Sequence, residues 1–269
     1  MSSAKKNQPI GVFDSGIGGL TVANAISKQL PKEEIIYFGD TAHLPYGDKS
    51  ADAIRFYCLK IVKFLLEKKC KMIVIACNSA STAADKVLID LFKDQALFVN
   101  VVDPLIDAIA DRDYKSVGVI ATKATIRSDV YRTKLLEKKP KLKVDSMATP
   151  LLVPMIEEGY FNDNISEAII SNYLSDKRFQ SIEALLLACT HYPLIRSHIE
   201  LFFDGKVDVF DSTDVVVQRV KEKLKAAKLL NTKRANPHQF FVSDFTKSFE
   251  ETTHIFYKEK IKLEYCPIW

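Results

Sequence analysis

Two cysteines stand where a thiol could carry out acid/base chemistry. Cys77 and Cys189 each follow a short apolar run of the kind that forms a buried strand. Polar residues come next, Asn78-Ser79 in one case and Thr190-His191 in the other. A thiol has an unperturbed pKa of about 8.5, so it can move a proton near neutral pH once neighbours lower that value. The two cysteines are therefore candidates for a pair of opposed proton-transfer groups, one for each face of a carbon atom.

The other three cysteines do not share this pattern. A single cysteine beside an apolar strand is usually a small buried side chain, and we assign that role to Cys58, Cys70 and Cys266. The five cysteines form no CxxC pair and are odd in number, which predicts neither a disulfide framework nor a thiolate zinc site. No lysine has the context of a pyridoxal-phosphate site, and no spacing resembles a metal site. We expect no cofactor and no metal.

Two further groups could assist the thiols. Asp14 follows the first predicted strand, and His191 lies two residues after Cys189. Alone, such an aspartate is more often a turn or helix cap, and such a histidine is more often a surface group. The adjoining turn, residues 15–19, offers backbone NH groups at a helix start and so favours an anion such as a carboxylate. Its GxGG spacing differs from the GxGxxG dinucleotide fingerprint.

Neutral hydrogen-bonding side chains recur in the same loops. They could hold the carboxylates and ammonium of an amino acid, and the absence of an arginine cluster disfavours phosphate esters. These side chains are Ser15, Asn78, Ser79, Thr122, Thr125 and Thr190.

The elements that carry these residues alternate in type along the chain. Short β-branched runs alternate with longer amphipathic stretches, which predicts an α/β fold around mostly parallel sheets. Every candidate site residue named above lies just beyond a predicted strand, where open α/β sheets form their ligand crevice.

A faint internal repeat relates the two cysteines. The segment Ile75-Ala76-Cys77-Asn78-Ser79 resembles Leu187-Ala188-Cys189-Thr190-His191, 112 positions later, and Gly11-Val12-Phe13 resembles Gly118-Val119-Ile120, 107 positions later. The similar offsets predict two related α/β halves that face each other across a cleft, with one cysteine from each half.

Composition restricts the class of protein. The chain has 269 residues, 47% hydrophobic and 27% charged, which is typical of a soluble globular protein. The net charge of +4 comes partly from local lysine pairs without interleaved aromatics, so we expect no nucleic-acid partner. Residues 1–9 do not resemble a signal peptide, and no apolar run reaches the length of a membrane span. We expect a cytoplasmic protein that does not contact a membrane.

The motifs together resemble those of the glutamate racemases, in the same order, over roughly residues 10 to 200. They are GVFDSGIGGLTV (11–22), PYG (45–47), ACNSA (76–80), ATKATI (121–126), VPMIEEG (153–159) and CTHYPL (189–194). The sequence departs from the usual pattern at Ser79, where threonine is typical, and at His43-Leu44, where arginine and valine are common.

The resemblance implies two pseudo-symmetric α/β domains with the active site in the cleft between them. The C-terminal segment would return to the first domain, so we divide the chain into 1–99 plus 208–269 and 100–207. The implied activity is cofactor-independent interconversion of L- and D-glutamate, which supplies D-glutamate for peptidoglycan. Members usually form homodimers.

The resemblance also implies roles for individual residues. Cys77 and Cys189 would be the proton donors and acceptors, assisted by Asp14 and His191 respectively, with Glu157 as a further acidic group. The implied substrate contacts are Asp14, Ser15, Tyr46, Gly47, Asn78, Ser79, Thr190 and His191, with Thr122 and Thr125 as additions.

Three alternatives stay open at this stage. An aspartate racemase would share the proton-transfer machinery. A cysteine-nucleophile hydrolase or amidotransferase could use Cys189 with His191, although it would leave Cys77 unexplained. A binding module for an acidic amino acid would need neither thiol.

Overall fold

A computed structural model describes residues 3–161 and 163–269; Met1, Ser2 and Asn162 lie outside this description. Its strands are β1 Ile10–Asp14, β2 Ile35–Gly39, β3 Met72–Ile75, β4 Leu97–Asn100, β5 Ser116–Ala121, β6 Lys143–Ala148, β7 Ala184–Ala188, β8 Asp208–Asp211, β9 Gln239–Val242 and β10 Leu263–Tyr265. Its α-helices are α1 Ser3–Lys6, α2 Leu20–Gln29, α3 Ala51–Glu67, α4 Asn78–Phe92, α5 Asp103–Ala110, α6 Lys123–Arg127, α7 Val130–Lys138, α8 Leu152–Glu157, α9 Asn164–Leu174, α10 Arg196–Phe202, α11 Thr213–Ala226 and α12 Lys247–Phe256.

The strands form two sheets with the same core order. The first sheet runs β10-β9-β2-β1-β3-β4 and the second β6-β5-β7-β8, and every pairing in both is parallel. The order β2-β1-β3-β4 in one sheet matches β6-β5-β7-β8 in the other, strand for strand. The predicted α/β fold with mostly parallel sheets is confirmed.

The central strands are buried along their whole length and are mostly apolar. All residues of β1, β3, β5 and β7 are buried, as expected for parallel strands enclosed between helices. The cysteines follow β3 and β7, and each of these strands lies next to the first strand of its half. The repeat in sequence therefore corresponds to equivalent places in two similar sheets.

The C-terminal segment returns to the first sheet, but later than residue 208. Strand β8 pairs with β7 in the second sheet, so Asp208–Asp211 extends that sheet rather than the first. Helix α11 then packs against both α2 and α5, and β9 and β10 add to the β2 edge of the first sheet. We propose that the division into 1–99 plus 208–269 and 100–207 holds in outline, with the crossing after Asp211.

A buried ion pair anchors the C-terminal segment to the first half. The Lys71 ammonium contacts Glu33 Oε2 at 2.6 Å and donates to the carbonyl oxygens of Lys6 at 2.7 Å and Leu229 at 2.9 Å. The other Glu33 oxygen accepts the Asn231 backbone NH at 2.7 Å. Both side chains are almost fully buried. Their bonds connect the N-terminal segment, the α2–β2 connection and the C-terminal return in a region that water does not reach.

None of the helices within 3–161 and 163–269 combines the length and apolar character of a membrane-spanning helix.

Replacing Lys71 by methionine should destabilise the fold strongly, because Glu33 would be left as a buried, unpaired carboxylate. We expect the free energy of unfolding in urea to fall by about 3 to 5 kcal/mol. The added substitution Glu33→Gln should recover part of that loss. Lys86→Met is the matched control, since the Lys86–Asp90 pair is mostly exposed and should contribute little. Equal effects of Lys71→Met and Lys86→Met would contradict this role for the buried pair.

Candidate active site

A cavity of about 260 Å³ opens between the two sheets and is lined by both halves. Most of the residues selected from the sequence line it, namely Ser15, Tyr46, Gly47, Cys77, Asn78, Ser79, Thr122, Glu157, Cys189, Thr190 and His191. Asp14 and Thr125 do not reach the cavity wall and lie buried behind it. The predicted set therefore forms a lining and a small supporting layer.

Cys77 is held at the junction of β3 and α4. It occupies the N-cap position of α4, where its Sγ accepts the Ala80 backbone NH at 3.5 Å. Its thiol donates to Ser15 Oγ, 3.7 Å away. Burial raises the pKa of this thiol well above its usual value, and the negative charge of Asp14 raises it further. Both effects stabilise Cys77 as the neutral thiol.

Asp14 organises the glycine turn beside Cys77. Its Oδ2 accepts the backbone NH groups of Gly16 at 3.2 Å and Gly19 at 3.0 Å, which fixes the turn between β1 and α2. Its Oδ1 is buried and has no hydrogen-bond partner among the described residues. Asp14 can thus act on the Cys77 side through its charge and its free oxygen, without lining the cavity.

Cys189 has a different neighbourhood. His191 Nδ1 lies 3.8 Å from Cys189 Sγ, and His191 Nε2 lies 2.9 Å from Glu157 Oε1. Burial lowers the pKa of His191, but its hydrogen bonds to Cys189 and Glu157 outweigh burial, and the net effect raises the pKa to about 10. At neutral pH the imidazole is therefore a cation placed between a sulfur and a carboxylate.

The loop around Gly18 packs directly on this histidine. A Cβ at Gly18 would stand 2.3 Å from His191 Cε1 and 2.7 Å from Thr190 Oγ1, so only glycine fits. In the first turn of the following helix α2, Thr21 Oγ1 donates to the Thr190 carbonyl oxygen at 3.2 Å. The Phe256 ring contacts the imidazole edge at a centroid distance of 5.2 Å. The first half and the C-terminal helix thus position a residue of the second half.

The comparisons with known proteins agree with this geometry. The family model for Asp/Glu/hydantoin racemases matches residues 10–220. The chain belongs to this racemase family.

It is 39% identical to a glutamate racemase of Chlorobaculum tepidum over 93% of this chain and 92% of that protein. Among solved structures, a glutamate racemase of Francisella tularensis in complex with D-glutamate has a TM-score of 0.92 and 37% identity, with 98% of each chain covered. Glutamate racemase isoform RacE1 of Bacillus anthracis has a TM-score of 0.92 and 32% identity, covering 97% of this chain and 99% of that one.

The racemase site also joins hydroxyl groups across the two halves. Ser79 Oγ of the first half lies 2.9 Å from Thr122 Oγ1 and 3.4 Å from Thr125 Oγ1 of the second half. A Cβ at Gly47 would stand 2.9 Å from Thr122 Cβ, so this glycine permits the approach. Thr125 therefore orients the two hydroxyls that line the cavity rather than facing it.

Sequence reasoning missed a buried carboxylate that fixes the Tyr46 loop. Asp40 Oδ2 accepts the Tyr46 hydroxyl at 2.6 Å, and Oδ1 accepts Ser243 Oγ at 2.7 Å. Asp40 also lies 2.9 Å from His43 Nδ1, at the position that departs from the usual family pattern. The only sequence signal was a polar residue directly after β2, because its contact with Ser243 depends on the distant C-terminal return.

Two further lining features were missed. Thr149 and Pro150 follow β6 as the other site loops follow their strands, but β6 is half-exposed and charged and gave no clear strand pattern. Lys123 is the one lysine or arginine in the described lining, and its ammonium lies 3.2 Å from Asp48 Oδ1 at the mouth. Within the described residues, no group of three His, Cys, Asp or Glu side chains is placed to hold a metal ion.

Gly18→Ala should impair catalysis by displacing His191. The added methyl group would overlap the imidazole, which Glu157 and Phe256 hold from the other sides. Because small misplacements of catalytic groups have large effects, we expect racemase kcat/KM to fall about 100-fold. Gly16→Ala controls for the general effect of a methyl group on the turn: its Cβ would meet nothing closer than Leu44 Cδ2 at 3.5 Å, so Tm should change little. Full activity of Gly18→Ala would contradict the tight packing.

The charge of His191 makes a testable pH prediction. Its pKa in the folded protein, about 10, lies above its ordinary value of 6.5. The stabilisation from its charge should be complete below pH 6.5 and should be lost as the pH rises to about 10. An NMR titration of the His191 Cε1 proton should show little change between pH 6 and 8, and Glu157→Gln should lower the pKa. A ring that titrates near 6.5 in the wild type would contradict the ion pair.

Proposed function

We propose that this racemase interconverts L- and D-glutamate by a two-base mechanism with Cys77 and Cys189, without a cofactor. The observation that carries the proposal is the presence of two thiols in one cavity, each at the carboxyl end of the equivalent strand of its own half. Two proton-transfer groups from opposite walls are what inversion at a tetrahedral carbon requires. The sequence predicted these two residues, and their roles stay proposals.

In the proposed reaction, one sulfur acts as a thiolate and removes the α-proton, leaving a carbanion at the α-carbon. The opposite cysteine, as a thiol, donates its proton to the other face. One C–H bond breaks and one forms, the first sulfur ends as a thiol and the second as a thiolate. The charge is thereby moved from one wall of the cavity to the other, and proton exchange with solvent resets the pair.

The two thiols have different electrostatic surroundings. The cationic His191 lies 3.8 Å from the Cys189 sulfur. Burial and the charge of Asp14 favour the protonated form of Cys77. The two thiols thus differ in their neighbours, an imidazolium beside Cys189 and a carboxylate near Cys77. In this proposal the Asp14 charge favours the proton on Cys77, and the His191 cation offsets negative charge in the half of the cavity that holds Cys189.

Glutamate is the proposed substrate for two reasons. Relatives of 35–39% identity over nine tenths of this chain are glutamate racemases, and the Francisella tularensis structure is a complex with D-glutamate. The lining offers hydroxyl, amide and backbone NH donors suited to carboxylates. The contacts we assign to the substrate are Ser15, Tyr46, Gly47, Asn78, Ser79, Thr122, Thr190 and His191.

The wider role follows from the resemblance of the sequence to glutamate racemases. We propose that the D-glutamate enters peptidoglycan precursors, that the enzyme acts in the cytoplasm, and that it works as a homodimer. Sedimentation of the purified protein would test the last point.

One arrangement favours a second candidate. Cys189, His191 and Glu157 form a thiol–imidazole–carboxylate sequence, 3.8 Å and 2.9 Å apart, of the type that makes a cysteine nucleophile in hydrolases. Such an enzyme would need Cys189 but not Cys77. The cavity position of Cys77 favours racemisation over this alternative.

The two-base assignment predicts that Cys77→Ala and Cys189→Ala each lower racemisation by at least about 1,000-fold, since neither thiol has a substitute on its face of the substrate. Circular dichroism of L-glutamate in deuterated buffer, without added cofactor and with a chelator, measures the loss of optical activity. Mass spectrometry of the product measures α-deuterium. Cys266→Ala is the matched control, because Cys266 is outside the cavity lining and should keep the wild-type rate.

Each other outcome points to a particular alternative. Near-parental turnover by Cys77→Ala would overturn the two-base mechanism and favour the hydrolase. Racemisation of L-aspartate with inert L-glutamate would keep the mechanism and change the substrate. Inertness towards both amino acids would overturn the proposed activity.

A further inference from the structure

Asn78 presents an unpaired donor in the cavity wall. It is the first residue of α4, directly after Cys77, and only 3% of its surface is exposed. Its Nδ2 is buried and has no hydrogen-bond partner among the described residues. A buried amide donor without a partner is unfavourable, because it has given up its hydrogen bond to water without gaining another. Because Asn78 lines the cavity, a ligand acceptor there can supply the missing bond.

The orientation of that amide depends on a single residue. Asn78 Oδ1 accepts the Tyr131 hydroxyl at 2.6 Å. The oxygen and nitrogen ends of an asparagine amide have nearly the same shape, so its hydrogen bonds decide which end points where. Tyr131 is 4% exposed, and burial raises the pKa of its phenol, which keeps the hydroxyl protonated as a donor. In the structure the hydroxyl donates to the oxygen end, and the nitrogen end has no partner among the described residues.

The bond also crosses between the two halves. Asn78 lies on α4, which follows β3 of the first sheet, whereas Tyr131 lies on α7, between β5 and β6 of the second sheet. The placement of Tyr131 in the second half therefore affects how the Asn78 amide of the first half is oriented.

We propose that Tyr131 is a positioning residue for substrate binding: it fixes the Asn78 amide so that Nδ2 donates to a carboxylate oxygen of the substrate. The identity of that substrate as glutamate rests on the function proposed above. With the amide reversed, Oδ1 would face the carboxylate and repel it. Tyr131 itself does not line the cavity and acts only through Asn78.

The test is a double-mutant cycle on Tyr131→Phe and Asn78→Ala, with KM and kcat measured for both enantiomers of glutamate. Tyr131→Phe should raise KM about tenfold and change kcat less than about threefold, since the lost bond would serve ground and transition states alike. In the Asn78→Ala background the same substitution should have no further effect. Tyr114→Phe, which removes a hydroxyl bonded to Asp208 outside the cavity lining, should keep the wild-type KM.

A second variant and a spectroscopic measurement guard against a general structural effect. Asn78→Asp keeps an oxygen for Tyr131 but replaces the donor by an acceptor, so it should raise KM at least as much as Tyr131→Phe. In the unliganded protein, the Asn78 side-chain amide NMR signals should shift or broaden in Tyr131→Phe and stay unchanged in Tyr114→Phe.

Two results would overturn the role of Tyr131. An unchanged KM in Tyr131→Phe would do so, as would an equal rise in KM in the presence and absence of the Asn78 side chain. Failure of the wild type to racemise glutamate would instead overturn the proposed function. The NMR comparison would still decide in that case, because unaltered Asn78 signals in Tyr131→Phe would by themselves exclude the positioning role.

Discussion

The close approach of the two halves is the constraint on which the site depends. Gly18 and Gly47 lie where a Cβ would overlap His191 and Thr122 of the other half, so the absence of side chains sets the width of the cleft. At that width Ser79 reaches Thr122, Thr21 reaches the Thr190 carbonyl, and both cysteines line one cavity. A wider cleft would break all of these contacts at once, because each of them crosses the interface between the two halves.

Within this symmetrical frame the two thiols have unequal surroundings. Burial and a nearby carboxylate favour the protonated form of Cys77, whereas an imidazolium anchored by Glu157 accompanies Cys189. The repeated fold places the two cysteines at equivalent strand ends, but the loops around them supply different charged neighbours.

The C-terminal return supports the site from outside. It adds β9 and β10 to the first sheet, brings Ser243 to Asp40 and places Phe256 against His191. Asp40 in turn holds the Tyr46 hydroxyl, so a segment late in the chain orients a loop near its beginning. The Lys71–Glu33 pair fastens the same return at the opposite end of the strands.

The sequence by itself determined the α/β class, the strand ends that carry Cys77 and Cys189, and most of the cavity lining, because these follow from local hydrophobic pattern, glycine turns and family motifs. It did not determine the sheet membership of β8, since a four-residue strand can pair with either sheet and only packing chooses. Nor did it reveal that Asp14 and Thr125 lie behind the lining, or that Asp40 and Tyr131 orient cavity residues. These depend on contacts between residues distant in sequence, and only the tertiary structure, by bringing the two halves and the C-terminal return together, decided them.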